Sequence, residues 1–449
     1  MDTPIADFVE QYARSRALRL HMPGHKGVGL PEAYDITEIE GADSLYAATG
    51  IIRRSEENAG ALFGAHTLYS AEGSSLCLRA MLLLVVRYAR ATGRAPRILA
   101  GRNAHKTLVG AAALLGVCVE WLYPAEGESY LSCTPDLERL AAAFTAKEPP
   151  VALFLTSPDY LGHTVELSGV ARLCHAHGVL LAVDNAHGAY LRFLPVSRHP
   201  IDLGADLCCD SAHKTLSCLT GGAYLHVAPG APDALHAGAR DALAFFGSTS
   251  PSYLILSSLD RLNRTLFEGY RERLSAFVAA VDALRCELTA HGYTLFGEEP
   301  LKLTLTPKAY GYTGTELSGY LAERGIVCEF CDPDVIVLML TPELPGEALG
   351  VLREALVSLP RRPAIEELPP HFMPPCARMT PAEALLAPSE LLPIGECLGR
   401  VLAEVTVGCP PAVPILVAGE VVDEAALEMF RYYGVGELRV VSPAPSDIA

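Results

Sequence analysis

The chain has 449 residues, half of them hydrophobic and 19% charged, with a formal net charge of −17. That length exceeds one compact core, so two or three globular domains are expected. The acidic balance argues against nucleic acid or an anionic membrane as partner and favours a small cationic ligand. Thirteen cysteines, an odd number without a framework, point to a reduced, cytoplasmic compartment. The N-terminus lacks a basic region followed by an apolar stretch, so no signal peptide is expected. The longest apolar run, Ala80 to Val86 between Arg79 and Arg87, is too short to span a bilayer.

Residues 1–60 read as an irregular N-terminal arm containing His21-Met22-Pro23-Gly24-His25-Lys26-Gly27. His21 and His25 are a weak metal pair because no acidic or cysteine ligand joins them, and no metal site is expected. Over 61–255, strand-like runs alternate with helical stretches. Arg97–Ala100, Val117–Leu122 and Val151–Leu155 read as strands, and Thr107–Leu115 and Ala171–His177 as crossover helices. This alternation predicts an α/β large domain built on a mainly parallel, helix-covered sheet. A long helical stretch is predicted from Tyr253 to about His291. It leads into a small α/β domain over 256–365, with strands Leu301–Leu305 and Val335–Leu340. Cys328-Glu329-Phe330-Cys331 is a CxxC without a second pair, which argues against zinc. A proline-rich linker from Leu359 to Pro375 precedes an α+β C-terminal domain, 376–449.

Two strands end in polar clusters. Leu180–Val183 runs into Asp184-Asn185-Ala186-His187, and Leu207–Cys209 into Asp210-Ser211-Ala212-His213-Lys214-Thr215. The carboxyl ends of such strands are where open α/β sheets bind ligands. A lysine there forms an imine with an aldehyde cofactor, and an acid one crossover away holds a protonated ring nitrogen. Lys214 and Asp184 together therefore point to pyridoxal 5'-phosphate (PLP). Alone, Lys214 reads first as a surface lysine, the commonest fate of a lysine, and Asp184 also suits a helix N-cap. His187 contacts the ring edge or holds Asp184. Glu72-Gly73-Ser74-Ser75 opens a helical run, offering N–H groups and hydroxyls to a phosphate or an ordinary serine cap. Ser211 and His213 complete that pocket. His105, in Arg102-Asn103-Ala104-His105-Lys106, is placed either to stack on a planar ring or as a loop histidine.

In this order the segments resemble the ornithine/lysine/arginine decarboxylase family, PLP enzymes with the aspartate-aminotransferase-like fold. The likeness extends through Asp35–Glu38, Asp43–Leu45, Thr156-Ser157-Pro158, Thr249-Ser250-Pro251-Ser252-Tyr253, Pro300–Leu303, Gly311–Gly314 and Gly419-Glu420. It implies a seven-stranded sheet in the large domain, Lys214 as the imine-forming lysine, and Asp184 on the ring nitrogen. It implies His105 stacked on the ring and Gly73, Ser74, Ser75, Ser211 and His213 around the phosphate. Thr249 is implied at the phosphate of a neighbouring subunit, in a homodimer whose active site lies at the interface. The chain looks like the short form, without the receiver-like N-terminal domain, and decamers are not expected.

Four departures from the family pattern are Glu72, Asn185, Tyr190 and Cys409-Pro410-Pro411-Ala412. The expected reaction is α-decarboxylation of a basic amino acid, with Glu329, Asp332 and Asp334 as acids for its distal cation. An aminotransferase is the main alternative, with Arg324 or Arg353 on the substrate carboxylate. A catalytically idle PLP-binding regulator is the other.

Overall fold

The chain opens with a helix, α1 (Pro4–Arg14), and after a series of turns enters α2 (Ile51–Phe63). The expected irregular arm is thus corrected at both ends. The cause is a distant carboxylate. Asp260 Oδ2 accepts the N–H groups of Ile5 and Ala6, each at 2.9 Å, and so caps a helix that buries Ile5 and Val9. The structure, a computed structural model, describes residues 1–15, 17–124, 131–408 and 413–443.

A seven-stranded sheet follows, interleaved with helices in the order β1 (His66–Ser70), α3 (Gly73–Ala91), β2 (Arg97–Gly101), α4 (Lys106–Leu115), β3 (Cys118–Leu122), α5 (Leu137–Phe144), β4 (Ala152–Thr156), α6 (Leu167–Ala176), β5 (Leu180–Asp184), β6 (Leu207–Asp210), the single turn α7 (Ala212–Thr215) and β7 (Ala223–Val227). The strand order is β1-β7-β6-β5-β4-β2-β3. Pairing is parallel from β6 across to β3, and β7 runs antiparallel to both of its neighbours. The expected mainly parallel sheet is present. β1, His-Thr-Leu-Tyr-Ser, carries little apolar signal and is fixed by its neighbours. Ser55 of α2 shares a 2.7 Å hydrogen bond with the Tyr69 hydroxyl. α3 is apolar nearly all round because the sheet covers one side and α8 (Asp233–Phe246) the other.

The predicted helical stretch from Tyr253 to His291 consists of two helices, α9 (Tyr253–Phe267) and α10 (Tyr270–His291). Gly269 breaks it by adopting the left-handed conformation, φ 74°. The next unit is a four-stranded antiparallel sheet of β8 (Leu295–Phe296), β9 (Lys302–Leu305), β10 (Phe330–Cys331) and β11 (Ile336–Met339), ordered β10-β11-β9-β8. α11 (Gly314–Ala322) and α12 (Ala348–Ser358) contribute to its separate apolar core, which contains Leu303, Leu321, Ile336 and Leu356. The last unit holds α13 (Pro381–Leu386), β12 (Ser389–Pro393), β13 (Thr406–Gly408), β14 (Pro414–Val417), α14 (Glu424–Tyr432) and β15 (Glu437–Val441). β12 pairs with β15 and β13 with β14. Among the described residues no helix is long and apolar enough to cross a membrane.

Leu303 is fully buried, whereas Leu114 on α4 is 75% exposed. Leu303→Ala is expected to cost about 2–5 kcal/mol, and Leu114→Ala to stay within about 0.5 kcal/mol. Urea denaturation of the two variants beside the parent chain checks this contrast.

Candidate active site

The parallel register of β5 on β6 sets Asp184 beside Cys209. Each chain then turns out of the sheet at the same end. A cavity of about 380 Å³ lies there, lined by Asp184, His187, Lys214, His105, Ser74 and Tyr160 among others. Gly73, Ser75, Ser211 and His213 also line it. Thr249 is exposed and does not line the cavity of its own chain.

Lys214 Nζ lies 3.1 Å from His187 Nε2. Burial lowers the Lys214 ammonium below its ordinary value, with Asp184 opposing. Burial also holds His187 well below the usual histidine range, reinforced by the charges of Lys302 and Lys214. When unprotonated at Nε2, His187 accepts a hydrogen bond from the Lys214 amine. Asp184 Oδ1 accepts the Ala186 N–H at 3.1 Å and the Cys209 thiol at 3.6 Å. His105 caps α4 through Nδ1, which lies 3.3 Å from the Thr107 backbone nitrogen and 2.9 Å from Thr107 Oγ1. Burial lowers its pKa, with Asp184 opposing.

The N-terminal turn of α3 forms one wall. No side chain caps it, and Gly73 takes the left-handed conformation, φ 73°, with open space where a Cβ would stand. Ser211 Oγ donates to Ser74 Oγ at 2.7 Å, and Thr107 Oγ1 to Ser75 Oγ at 3.3 Å, so three chain segments share this wall. Glu72 also lines the cavity, and its carboxylate accepts the Ser248 N–H at 2.7 Å.

Behind the cavity, Asp210 is fully buried. Its Oδ2 contacts His199 Nε2 at 3.0 Å and His226 Nε2 at 3.1 Å, and its Oδ1 accepts Asn185 Nδ2 at 2.6 Å. Burial pushes the carboxyl up, but the two imidazoles outweigh it and hold Asp210 well below the usual carboxylate range. His199, Cys208 and Asp210 place their donor atoms within 4.8 Å of one another, with the aspartate oxygens engaged in these hydrogen bonds. Asn185, a departure from the pattern of motifs, thus faces this buried network. Tyr190, another, is buried with its hydroxyl on Glu299. Cys409–Ala412 lie outside the described residues.

Several neighbours carried no site signal in the sequence. Tyr160 stands edge-on to His187, ring centroids 5.1 Å apart, and its hydroxyl donates to Glu329 Oε1 at 3.0 Å. Of the three expected distal acids, only Glu329 bonds to a cavity-lining side chain, and it is itself exposed and outside the lining. Asp332 accepts the N–H groups of Asp334 and Val335, each at 2.7 Å, and Asp334 pairs with Lys308 Nζ at 2.7 Å. Neither Arg324 nor Arg353 lines the cavity.

The C-terminal unit reaches the site through Val413, which lines the cavity, and through a fully buried ion pair. Arg102 Nη2 meets Glu420 Oε2 at 2.8 Å and the Ile415 carbonyl at 3.2 Å. Arg102 immediately precedes Asn103, another cavity residue.

Comparison with known proteins decides the family. The Orn/Lys/Arg decarboxylase major-domain model matches residues 3–290, and the C-terminal-domain model of the same family matches 367–438. The chain belongs to the Orn/Lys/Arg decarboxylase family. This places it among the amino acid decarboxylases. It is similar to an arginine decarboxylase of Bacillus subtilis (strain 168), 28% identical over 484 residues, covering 100% of this chain and 96% of that one. An arginine decarboxylase of Halalkalibacterium halodurans is 29% identical over 480 residues, covering 98% and 95%. In fold it resembles the Francisella novicida lysine decarboxylase LdcF, with a TM-score of 0.78 at 16% identity, covering 98% of this chain and 81% of that one.

In this family member the buried pair also links stability to pH. Burial pushes the Glu420 carboxyl up from 4.5 to about 7, against the pull of Arg102. The folded state therefore binds more protons than the unfolded chain between those values. The group's contribution is fully present below 4.5 and is lost as pH rises through about 7. Glu420→Gln is expected to flatten the fall in stability between about pH 5 and pH 8, by up to about 3 kcal/mol. Arg102→Met, which leaves the carboxylate unpaired, is expected to steepen it. Urea unfolding at the two pH values reads both.

Proposed function

We propose that the chain catalyses PLP-dependent α-decarboxylation of a basic amino acid, giving the amine and CO2, with arginine the first substrate to test. The observation that carries this reading is the convergence of Lys214, His187 and Asp184 on one cavity at the ends of β5 and β6. Arginine comes first because relatives matching nearly the whole chain are named arginine decarboxylases.

The residues present fit the cofactor. Among the described residues, two buried polar atoms of cavity-lining side chains, His187 Nδ1 and Thr156 Oγ1, have no protein partner. The uncapped turn of α3 offers N–H groups to a phosphate. Lys214 would hold the cofactor aldehyde, Asp184 its ring nitrogen, His105 and His187 its faces and edge, and Gly73, Ser74, Ser75, Ser211 and His213 its phosphate. When bound, the cofactor accepts the electron pair left at the substrate α-carbon.

The chain's own groups do the rest. Asp184, held at Oδ1 by the Ala186 N–H, presents its carboxylate at the place where a protonated ring nitrogen would need it. Burial lowers the Lys214 pKa, which raises the share of its amine that is free to react. Lys214 Nζ, positioned by His187 Nε2, would deliver a proton to the substrate α-carbon. Leu78, Pro158, Ala186 and Val413 give the cavity apolar wall, which favours loss of a carboxylate over its hydration. Glu329, held by Tyr160, is the acid for the distal cation of the substrate. We assign Thr249 to the phosphate site of a partner subunit in a homodimer, in keeping with its exposure and its absence from the cavity of its own chain.

Purified protein with PLP and arginine, lysine or ornithine in turn is expected to release CO2 and the matching amine from one of them. Keto acid without CO2 would sink the decarboxylase reading in favour of an aminotransferase. Lys214→Ala is expected to lose the visible band of lysine-bound cofactor and to lower turnover by about a thousandfold or more. Retention of that band would remove Lys214 from its role. Glu329→Gln is expected to raise KM for the basic substrate by about tenfold while kcat changes little. Steady-state kinetics across the three amino acids measures this split.

A further inference from the structure

Lys302 is a lysine with only 1% of its surface exposed, on β9 and therefore outside the sheet that carries the site. Its Nζ donates to the Asp159 carbonyl at 3.0 Å and pairs with Glu299 Oε2 at 3.5 Å. It lies 5.9 Å from the centroid of the Tyr160 ring. Asp159 and Tyr160 line the cavity, and Tyr160 stands against His187. Glu299 is itself anchored by the Tyr190 hydroxyl. A further bond, Thr304 Oγ1 to the Leu161 carbonyl at 2.8 Å, fastens β9 to the same loop.

A buried lysine is costly to charge, and one pair with one carboxylate is a narrow return for that cost. Its position suggests why it is there. Lys214 from α7 touches His187; His213, His105 and Asp184 line the same cavity, as do Asp159 and Tyr160 from the loop after β4, with Tyr160 edge-on to His187. Lys302 stands behind Asp159 and Tyr160. His187 serves the site as an acceptor for Lys214, and it does so only while Nε2 is unprotonated.

We propose that Lys302 is a positioning residue for this site: it fixes the Asp159–Leu161 wall and keeps a second proton off His187, so that Nε2 stays free for Lys214. The inference rests on the reading of Lys214 as the reacting lysine. Its test reads His187 directly, so a chain that decarboxylates nothing still decides the role of Lys302.

The experiment is an NMR titration of the full-length chain with carbon-labelled histidine, His187 being assigned by its loss in His187→Gln. In the parent chain the His187 midpoint is expected to lie well below the ordinary imidazole value. Lys302→Met is expected to move its midpoint up by about one pH unit, because removal of a neighbouring positive charge eases protonation. The double variant Lys302→Met with Glu299→Gln, which leaves no buried carboxylate unpaired, is expected to show the same shift. Lys302→Arg, which keeps the charge, is expected to restore the parent midpoint. In active enzyme the acid limb of the kcat profile moves with it. A parent His187 that titrates near its ordinary value of about 6.5 overturns the proposal, whatever the variants do. So does a folded double variant with an unchanged midpoint, since a merely structural Lys302 lowers stability without moving that titration.

Discussion

The parallel pairing of β5 with β6 is the constraint on which the site depends. It sets Asp184 level with Cys209, so the two chains leave the sheet at one edge and carry an acid and a lysine into one cavity. Asp210 locks that edge. One carboxylate takes His199, His226 and Asn185, and so joins the residue after Asp184 to the residue before Ser211. A slip of β5 against β6 would strand several fully buried polar groups at once. Each costs on the order of 1–3 kcal/mol when left unsatisfied, so the register is strongly enforced.

The other two units are tied to this edge by buried charge rather than by apolar contact alone. Arg102 and Glu420 bind the C-terminal unit to the segment carrying Asn103 and His105. Lys302 and Glu299 bind the small sheet to the segment carrying Asp159 and Tyr160. Such pairs are poor sources of net stability, because desolvation offsets most of their attraction. They are demanding about geometry, however, and both lie one residue or one ring away from groups that face the cavity. Placement of the walls of the site, rather than stability, is the role this favours.

Much of this was legible in the chain. Lys214, Asp184, His105 and the Gly73–Ser75 turn were found because each is a polar cluster at the end of a short apolar run, a signal contained in a few consecutive residues. Glu329 was one of three equal candidates, and only its hydrogen bond with Tyr160 separates it from Asp332 and Asp334. The first helix was missed because its cap is Asp260. The long helical stretch was drawn through Gly269 because periodicity averages over one residue that departs from it.

By itself the sequence determined the alternation of strands and helices, the mainly parallel sheet and the chemistry at two strand ends. These rest on local pattern, where side-chain period and turn residues dictate backbone conformation. Tertiary structure decided which charges meet. Asp210 with two histidines, Arg102 with Glu420, and Lys302 with Glu299 behind Tyr160 are pairings whose energy depends on burial and distance. Neither quantity exists until the sheets have packed.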